Sequence, residues 1–434
     1  MKSRGLFACL VVSALLLCAV PLHAQGGILR LRIDDPITPY TEELVKRAVA
    51  QADREHDDVL LIELNTPGGL LESNRVIVEQ ILSSPVPVVA WVGPAGARAA
   101  SAGFLILEAA DVASMATGTN TGASHPVDIT GGKMDDVMKT KIENDTAASL
   151  RSYVTKRGRN PQLAEKAVRE SVSWTESEAL KEHLIDLVAD DEAALLRTLD
   201  GRQVTRFNGS VAVLHTAGKT VHDLPISPRL HLLGWLMNPS IVFLLLAIGA
   251  LCLYAEFSHP GAIIPGVAGA IAILLAIFAL NMLPTRFEAV ALIVLAFVLF
   301  ALEAKLTSHG VLTVGGIISL TLGGLLLIDS PIPELRVHLW TSLAISVPLG
   351  LITAFLMTLV VRARRNKITT GAQGLVGELG VARTQLAPSG KVFIHGELWD
   401  ARSAVPLAAG SEVRVTRVNG LALEVEAADR VKSF

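Results

Sequence analysis

Ser101 stands in Ala99-Ala100-Ser101-Ala102-Gly103, among neighbours too small to crowd a peptide backbone lying beside its hydroxyl. A helix starting here would aim its positive end at an oxyanion formed by attack of that hydroxyl on a carbonyl. The same residue suits an ordinary helix N-cap, where serine is a preferred type. Upstream, Asn65-Thr66-Pro67-Gly68-Gly69 follows the apolar run 59–64. Glycines at such a place turn the chain sharply and present N–H groups to a ligand. They serve either as half of an oxyanion hole or as a plain strand-to-helix turn.

A serine becomes a nucleophile when a base takes its proton. Downstream of Ser101 the candidate bases are His125, in Gly122-Ala123-Ser124-His125-Pro126, and Lys139 and Lys141, in Lys139-Thr140-Lys141-Ile142-Glu143. An ordinary lysine ionises near ~10.4, so a lysine base needs a desolvated setting. A histidine base needs a partner that fixes its tautomer. The cysteines, Cys9, Cys18 and Cys252, all fall in apolar stretches. The water-soluble parts therefore hold none, which excludes thiolate catalysis, disulfides and a cysteine-rich zinc site there. No metal and no cofactor is expected.

These groups need a frame. Residues 28–33, 59–64 and 86–92 read as buried strands, and 41–56 and 70–82 as helices. In the first helix Leu44, Val45 and Val49 share one face. Strands alternating with helices predict an α/β domain with a mainly parallel sheet.

The chain has 434 residues, 51% of them hydrophobic and only 18% charged. That length implies several units, and that balance implies lipid-facing segments. Lys2 and Arg4, the apolar run 6–20 and Ala24 before Gln25 predict a signal peptide over 1–24 and export of the domain behind it. Residues 241–254, 262–282, 289–302, 311–328 and 339–361 read as the cores of five membrane spans. Arg362, Arg364, Arg365 and Lys367 then mark the cytoplasmic side. Five crossings from an exported first domain end on that same side.

Over 370–434, short β-rich runs are separated by Gly390, Gly396, Gly410 and Gly420, a pattern that predicts a small antiparallel barrel with Trp399 in its core. The net charge of −3 gives no argument for nucleic acid. Lys391, Arg402, Arg414 and Arg417 are interleaved with acids, which favours protein contact.

A TPGG turn, a further strand and ASAG resemble the Clp protease and crotonase-like superfamily. With Arg157-Gly158-Arg159-Asn160, Ala167-Val168-Arg169-Glu170-Ser171, a leading signal, five spans and a barrel, the whole chain resembles the long form of the NfeD family of membrane-bound serine proteases. The resemblance implies an α/β Clp-like domain over 25–230, a five-helix transmembrane region over 238–365 and an OB-fold-like domain over 370–434. It also implies Ser101 as nucleophile and Lys141 as base, a Ser–Lys dyad. Gly69 and Ala102 are expected to supply the oxyanion N–H groups, and Gly68 and His125 to contact substrate. The position of the Clp triad aspartate falls at Ser171, which weakens His125 as a base.

The function expected is that of a serine endopeptidase cleaving apolar segments of membrane-associated proteins. Stomatin- or flotillin-like proteins are the expected partners and a homo-oligomer the expected state. The expected location is the inner (cytoplasmic) membrane, with the catalytic domain outside the cytoplasm and the barrel inside. The other reading is a non-catalytic scaffold that binds partner peptides through the Clp-like domain.

Overall fold

The computed structural model describes residues 26–127, 135–258, 263–303, 306, 308–365 and 374–428. The expected signal segment lies outside the described residues.

The first elements are β1 (Ile28–Ile33), α1 (Pro39–Glu55), β2 (Val59–Leu64), α2 (Leu71–Ser83), β3 (Val88–Val92), β4 (Arg98–Ala100), α3 (Ala102–Ala109), β5 (Val112–Met115) and β6 (Asn120–Gly122). They continue with α4 (Asp136–Lys156), α5 (Pro161–Arg169), β7 (Ser173–Thr175), α6 (Glu176–Lys181), β8 (Leu187–Val188), α7 (Glu192–Leu199), β9 (Gln203–Thr205), β10 (Val211–Val213) and β11 (Val221–Asp223). Six strands form a parallel sheet in the order β11-β1-β2-β3-β5-β8. Its central strands are apolar almost throughout because helices cover both faces, as a parallel sheet requires. One apolar layer holds Leu60, Ile62 and Phe104; the other holds Val59, Leu61 and Trp91. A second sheet, β4-β6-β7, stands beside the first and carries Ser101 at its margin.

The apolar region begins with α8 (Pro228–Leu236) and continues through α9 (Pro239–Ser258), α10 (Ile264–Leu280), α11 (Phe287–Glu303), α12 (Val311–Leu326) and α13 (Leu339–Arg365). A helix thus forms at each of the five expected spans. Among the described residues, two stretches, Pro239–Phe257 and Pro333–Phe355, are long and apolar enough to cross a membrane. The sixteen or seventeen residues of α10, α11 and α12 rise only ~25 Å, short of the ~30 Å hydrocarbon core. The structure therefore supports fewer spans than the five expected.

The C-terminal unit is a closed barrel of β12 (Leu379–Ala382), β13 (Ser389–Ile394), β14 (Glu397–Arg402), β15 (Glu412–Asn419) and β16 (Ala422–Ala427). The expectation of a wholly antiparallel barrel needs one correction, since β14 and β16 run parallel. An odd number of strands cannot alternate direction around a closed ring, so one parallel pair is unavoidable. Val392, Ile394, Val413, Val415 and Leu423 fill the interior, with Trp399 packed against them.

Candidate active site

The turn after β2 is tied to the strand before Ser101. Thr66 N–H donates to Arg98 O at 2.7 Å, and Ala100 N–H donates to Thr66 O at 3.1 Å. Asn65 donates to Asp34 Oδ1 at 2.6 Å and accepts from Arg98 N–H at 3.1 Å, joining the end of β1 to β4. Gly68 has φ +110°, and a Cβ there would stand 2.5 Å from Ser101 Cβ. Gly69 packs against Ile37, where a Cβ would lie 2.1 Å from Ile37 O. Ile37 pairs with Gly68 O and Leu70 N–H. The Gly69 N–H is left without a backbone acceptor among the described residues.

Ser101 adopts φ 55°, ψ −116°, a conformation that costs a non-glycine residue on the order of 1–3 kcal/mol. The surroundings hold it there. Its N–H donates to Gly122 O at 2.8 Å, and its carbonyl accepts from Phe104 N–H at 3.1 Å and Ser124 Oγ at 2.9 Å. Although Ser101 is the N-cap of α3, its side chain makes no cap bond. The hydroxyl is therefore not spent on the helix. Ala102 opens the first turn, where a helix leaves its N–H groups unpaired.

Ser101, Gly69, Ala102 and His125 line one cavity of about 580 Å³, with Leu70, Leu105, Ile142 and Ser171. Gly68 packs directly behind Ser101. The structure does not bring Lys141 to that wall. It is exposed near the start of α4, next to Ile142, and Lys139 is exposed as well. The Nδ1 of His125 lies 2.8 Å from Val168 O. A carbonyl only accepts, so Nδ1 carries a proton, and in the neutral ring Nε2 is the acceptor. Thus a carbonyl, rather than a carboxylate, fixes its tautomer. Ser330, Pro331, Ile332 and Leu335, from the segment before α13, close another side of the cavity.

The far end of α3 was not legible. Arg159 donates from Nη1 to Glu108 O at 2.8 Å and from Nη2 to Ala110 O at 3.0 Å, with Asp186 Oδ2 at 2.7 Å. Arg157 donates to Ala109 O and pairs with Asp111 at 2.5 Å. Two buried guanidiniums thus hold the negative end of the helix whose positive end carries Ser101. Asn160 then caps α5 by accepting from Leu163 N–H at 3.2 Å. The sequence signal was Arg157-Gly158-Arg159-Asn160 itself, although its charges gave no sign of which helix they meet. Burial pushes the Glu108 carboxyl up to about 8, although Arg159 Nη1 lies 3.7 Å away and opposes the shift.

Three family descriptions match the chain in order: the N-terminal domain of NfeD1b over residues 28–205, the NfeD integral membrane domain over 240–359, and the NfeD-like C-terminal, partner-binding domain over 372–426. A membrane-bound protease of Pyrococcus horikoshii is 32% identical over 425 residues, covering 95% of this chain and 96% of its own. Membrane protein NfeD1b of Bacillus subtilis is 29% identical over 455 residues, covering 97% and 98%. A solved membrane protease specific for a stomatin homologue, also from Pyrococcus horikoshii, is 30% identical, with a TM-score of 0.43; the match covers 49% of this chain and 98% of that one. The chain is a membrane protein and belongs to the NfeD family.

Proposed function

We propose that the chain is a membrane-bound serine endopeptidase that cleaves apolar segments of membrane-associated proteins. The observation that carries this reading is Ser101 itself: a serine in a strained turn, with its side chain unspent, facing a cavity beside the Gly69 and Ala102 amides. The name of the Pyrococcus relative, a membrane-bound protease similar along nearly the whole chain, supports it.

In the proposed reaction, Lys141 takes the Ser101 proton and Oγ bonds to the scissile carbonyl carbon. The Gly69 and Ala102 N–H groups hold the oxyanion. As the tetrahedral adduct collapses, the C–N bond breaks and Lys141 returns the proton to the leaving amine. Water then cleaves the ester and frees Ser101. The position of Lys141 next to Ile142 supports its role, provided that bound substrate or a second copy covers its exposed side chain. A second base has an observation of its own. His125 lines the cavity directly, and its neutral ring, held through Nδ1, would offer Nε2 as the acceptor, which supports a Ser101–His125 pair.

The proposed layout is a signal peptide over 1–24, a Clp-like catalytic domain over 25–230 outside the cytoplasm, five crossings over 238–365, at which the short helices α10, α11 and α12 require local thinning of the bilayer, and a cytoplasmic OB-like barrel over 370–434. The barrel would bind a stomatin- or flotillin-like partner, supported by the partner-binding description of that segment. The catalytic domain would assemble into a homo-oligomer.

Labelling the detergent-purified full chain with a fluorophosphonate tests this reading. Modification of the peptide containing Ser101, absent from Ser101→Ala, is the expected result. A chain that binds apolar peptides but is neither labelled nor able to cut them is a scaffold.

A further inference from the structure

Part of the wall of the cavity that holds Ser101 comes from the apolar region. Ser330, Pro331, Ile332 and Leu335 line the same cavity as Ser101. The segment is built rather than loose. Arg286 Nε holds Asp329 at 2.7 Å, and Asp329 N–H donates to Pro284 O at 2.9 Å. Ser330 Oγ accepts from Ile332 N–H at 3.2 Å, and Leu335 N–H donates to Ile332 O at 3.1 Å. Arg336 donates to Ser330 O. Beside the cavity-lining residues of this segment, Glu334 Oε1 pairs with Arg98 Nη2 at 3.1 Å. Arg98 opens β4, the strand that leads into Ser101.

The candidate span Pro333–Phe355 begins inside this segment, and Leu335 belongs to both the span and the cavity wall. A chain lying in this cavity therefore touches the segment in which a candidate span begins. The side chains it meets there, Pro331, Ile332 and Leu335, are apolar and cannot compensate a buried charge; the carboxylate on the lining, Glu72, is exposed and belongs to α2.

The geometry points to residues 330–335 as a specificity element. They admit an extended apolar segment lying directly against a membrane anchor, and they reject charged side chains at that subsite. This deepens the proposed protease reading and rests on it.

The test uses the full chain in detergent and two peptides that differ only in leucine or lysine next to the scissile bond. The wild type should favour the leucine peptide by at least roughly tenfold in kcat/KM, the scale on which an apolar pocket discriminates. Ile332→Glu should narrow or reverse that ratio by roughly tenfold. An unchanged ratio in an active Ile332→Glu overturns the inference and leaves the protease reading standing. A wild type no more active than Ser101→Ala overturns both. If Ile332→Glu does not fold, photocrosslinking decides. A leucine peptide carrying a photoreactive phenylalanine analogue, bound to Ser101→Ala, should mark residues 330–335; marks only elsewhere overturn the inference.

Discussion

Gly68 presses its bare Cα against Ser101, so that a Cβ on Gly68 would stand 2.5 Å from Ser101 Cβ and 3.0 Å from its Oγ. Ser101 is held at φ 55°, and Gly68 at φ +110°, which a glycine alone adopts freely. Gly68→Ala therefore strains the turn and pushes the hydroxyl away. It should lower peptide cleavage by roughly a hundredfold, the cost of a displacement near 1 Å, and destabilise the chain by about 1–3 kcal/mol. Kinetics and thermal denaturation of one preparation check both numbers. Unaltered cleavage would mean that the turn does not position Ser101.

Arg159 has a side chain only 3% exposed and meets Glu108, Asp186 and the last carbonyls of α3. Removing one partner of such a buried pair strands charge in the interior, and Arg159→Met should cost about 3–5 kcal/mol. Arg151→Met breaks an exposed pair with Glu165 and should cost no more than about 1 kcal/mol. Denaturant melts of the two variants separate a built core from a surface contact. Equal losses would show that Arg159 is not holding α3.

Glu108 supplies a pH dependence of stability. Its folded value of about 8 lies above the ordinary 4.5, because burial disfavours the carboxylate. Between those values the folded chain keeps a proton that the unfolded chain has released. Stability should therefore fall as pH rises from about 4.5 to about 8. Glu108→Gln, which cannot ionise, should flatten that slope. Melting temperatures from pH 5 to pH 9 would show it, and parallel wild-type and variant curves would rule it out.

Topology is tested at two open turns. Gly201 and Gly410 both have positive φ, and nothing lies near the position a Cβ would occupy. Reporters placed there should read outside for Gly201 and cytoplasmic for Gly410, following the basic cluster after the last span. A cytoplasmic signal at Gly201 would remove the export claim.

The sheet was legible because its central strands are buried on both faces and read as apolar runs, 59–64 interrupted only by Glu63, while 28–33 alternates apolar residues with Arg30 and Arg32. Residues 28–33 and 59–64 fall where the runs place them, and α1 and α2 shift by no more than two residues. The three-residue strands β4, β6 and β7 around Ser101 are too short to show any periodicity. Ser101 stood out by its small neighbours, yet its torsion angles and its unused cap position depend on Gly122, Ser124 and Gly68. The wall at 330–335 was hidden because its contacts are long-range. Arg98 and Glu334 lie 236 positions apart, and no local pattern joins them. Lys141 shows the limit in the other direction, since its motif marks it while its side chain stands exposed.

The central claim is a serine nucleophile served by a lysine, and kcat/KM on one apolar peptide tests it directly in the wild type, Ser101→Ala, Lys141→Ala and His125→Ala. Lys141→Ala should lose about 10²–10⁴-fold, the usual cost of removing a proton-transfer partner, and Ser101→Ala, which lacks the attacking atom, on the order of 10⁶-fold. His125→Ala should stay within roughly tenfold of the wild type. A Lys141→Ala chain that still cuts beside an inactive His125→Ala chain would contradict the dyad and leave His125 as the base.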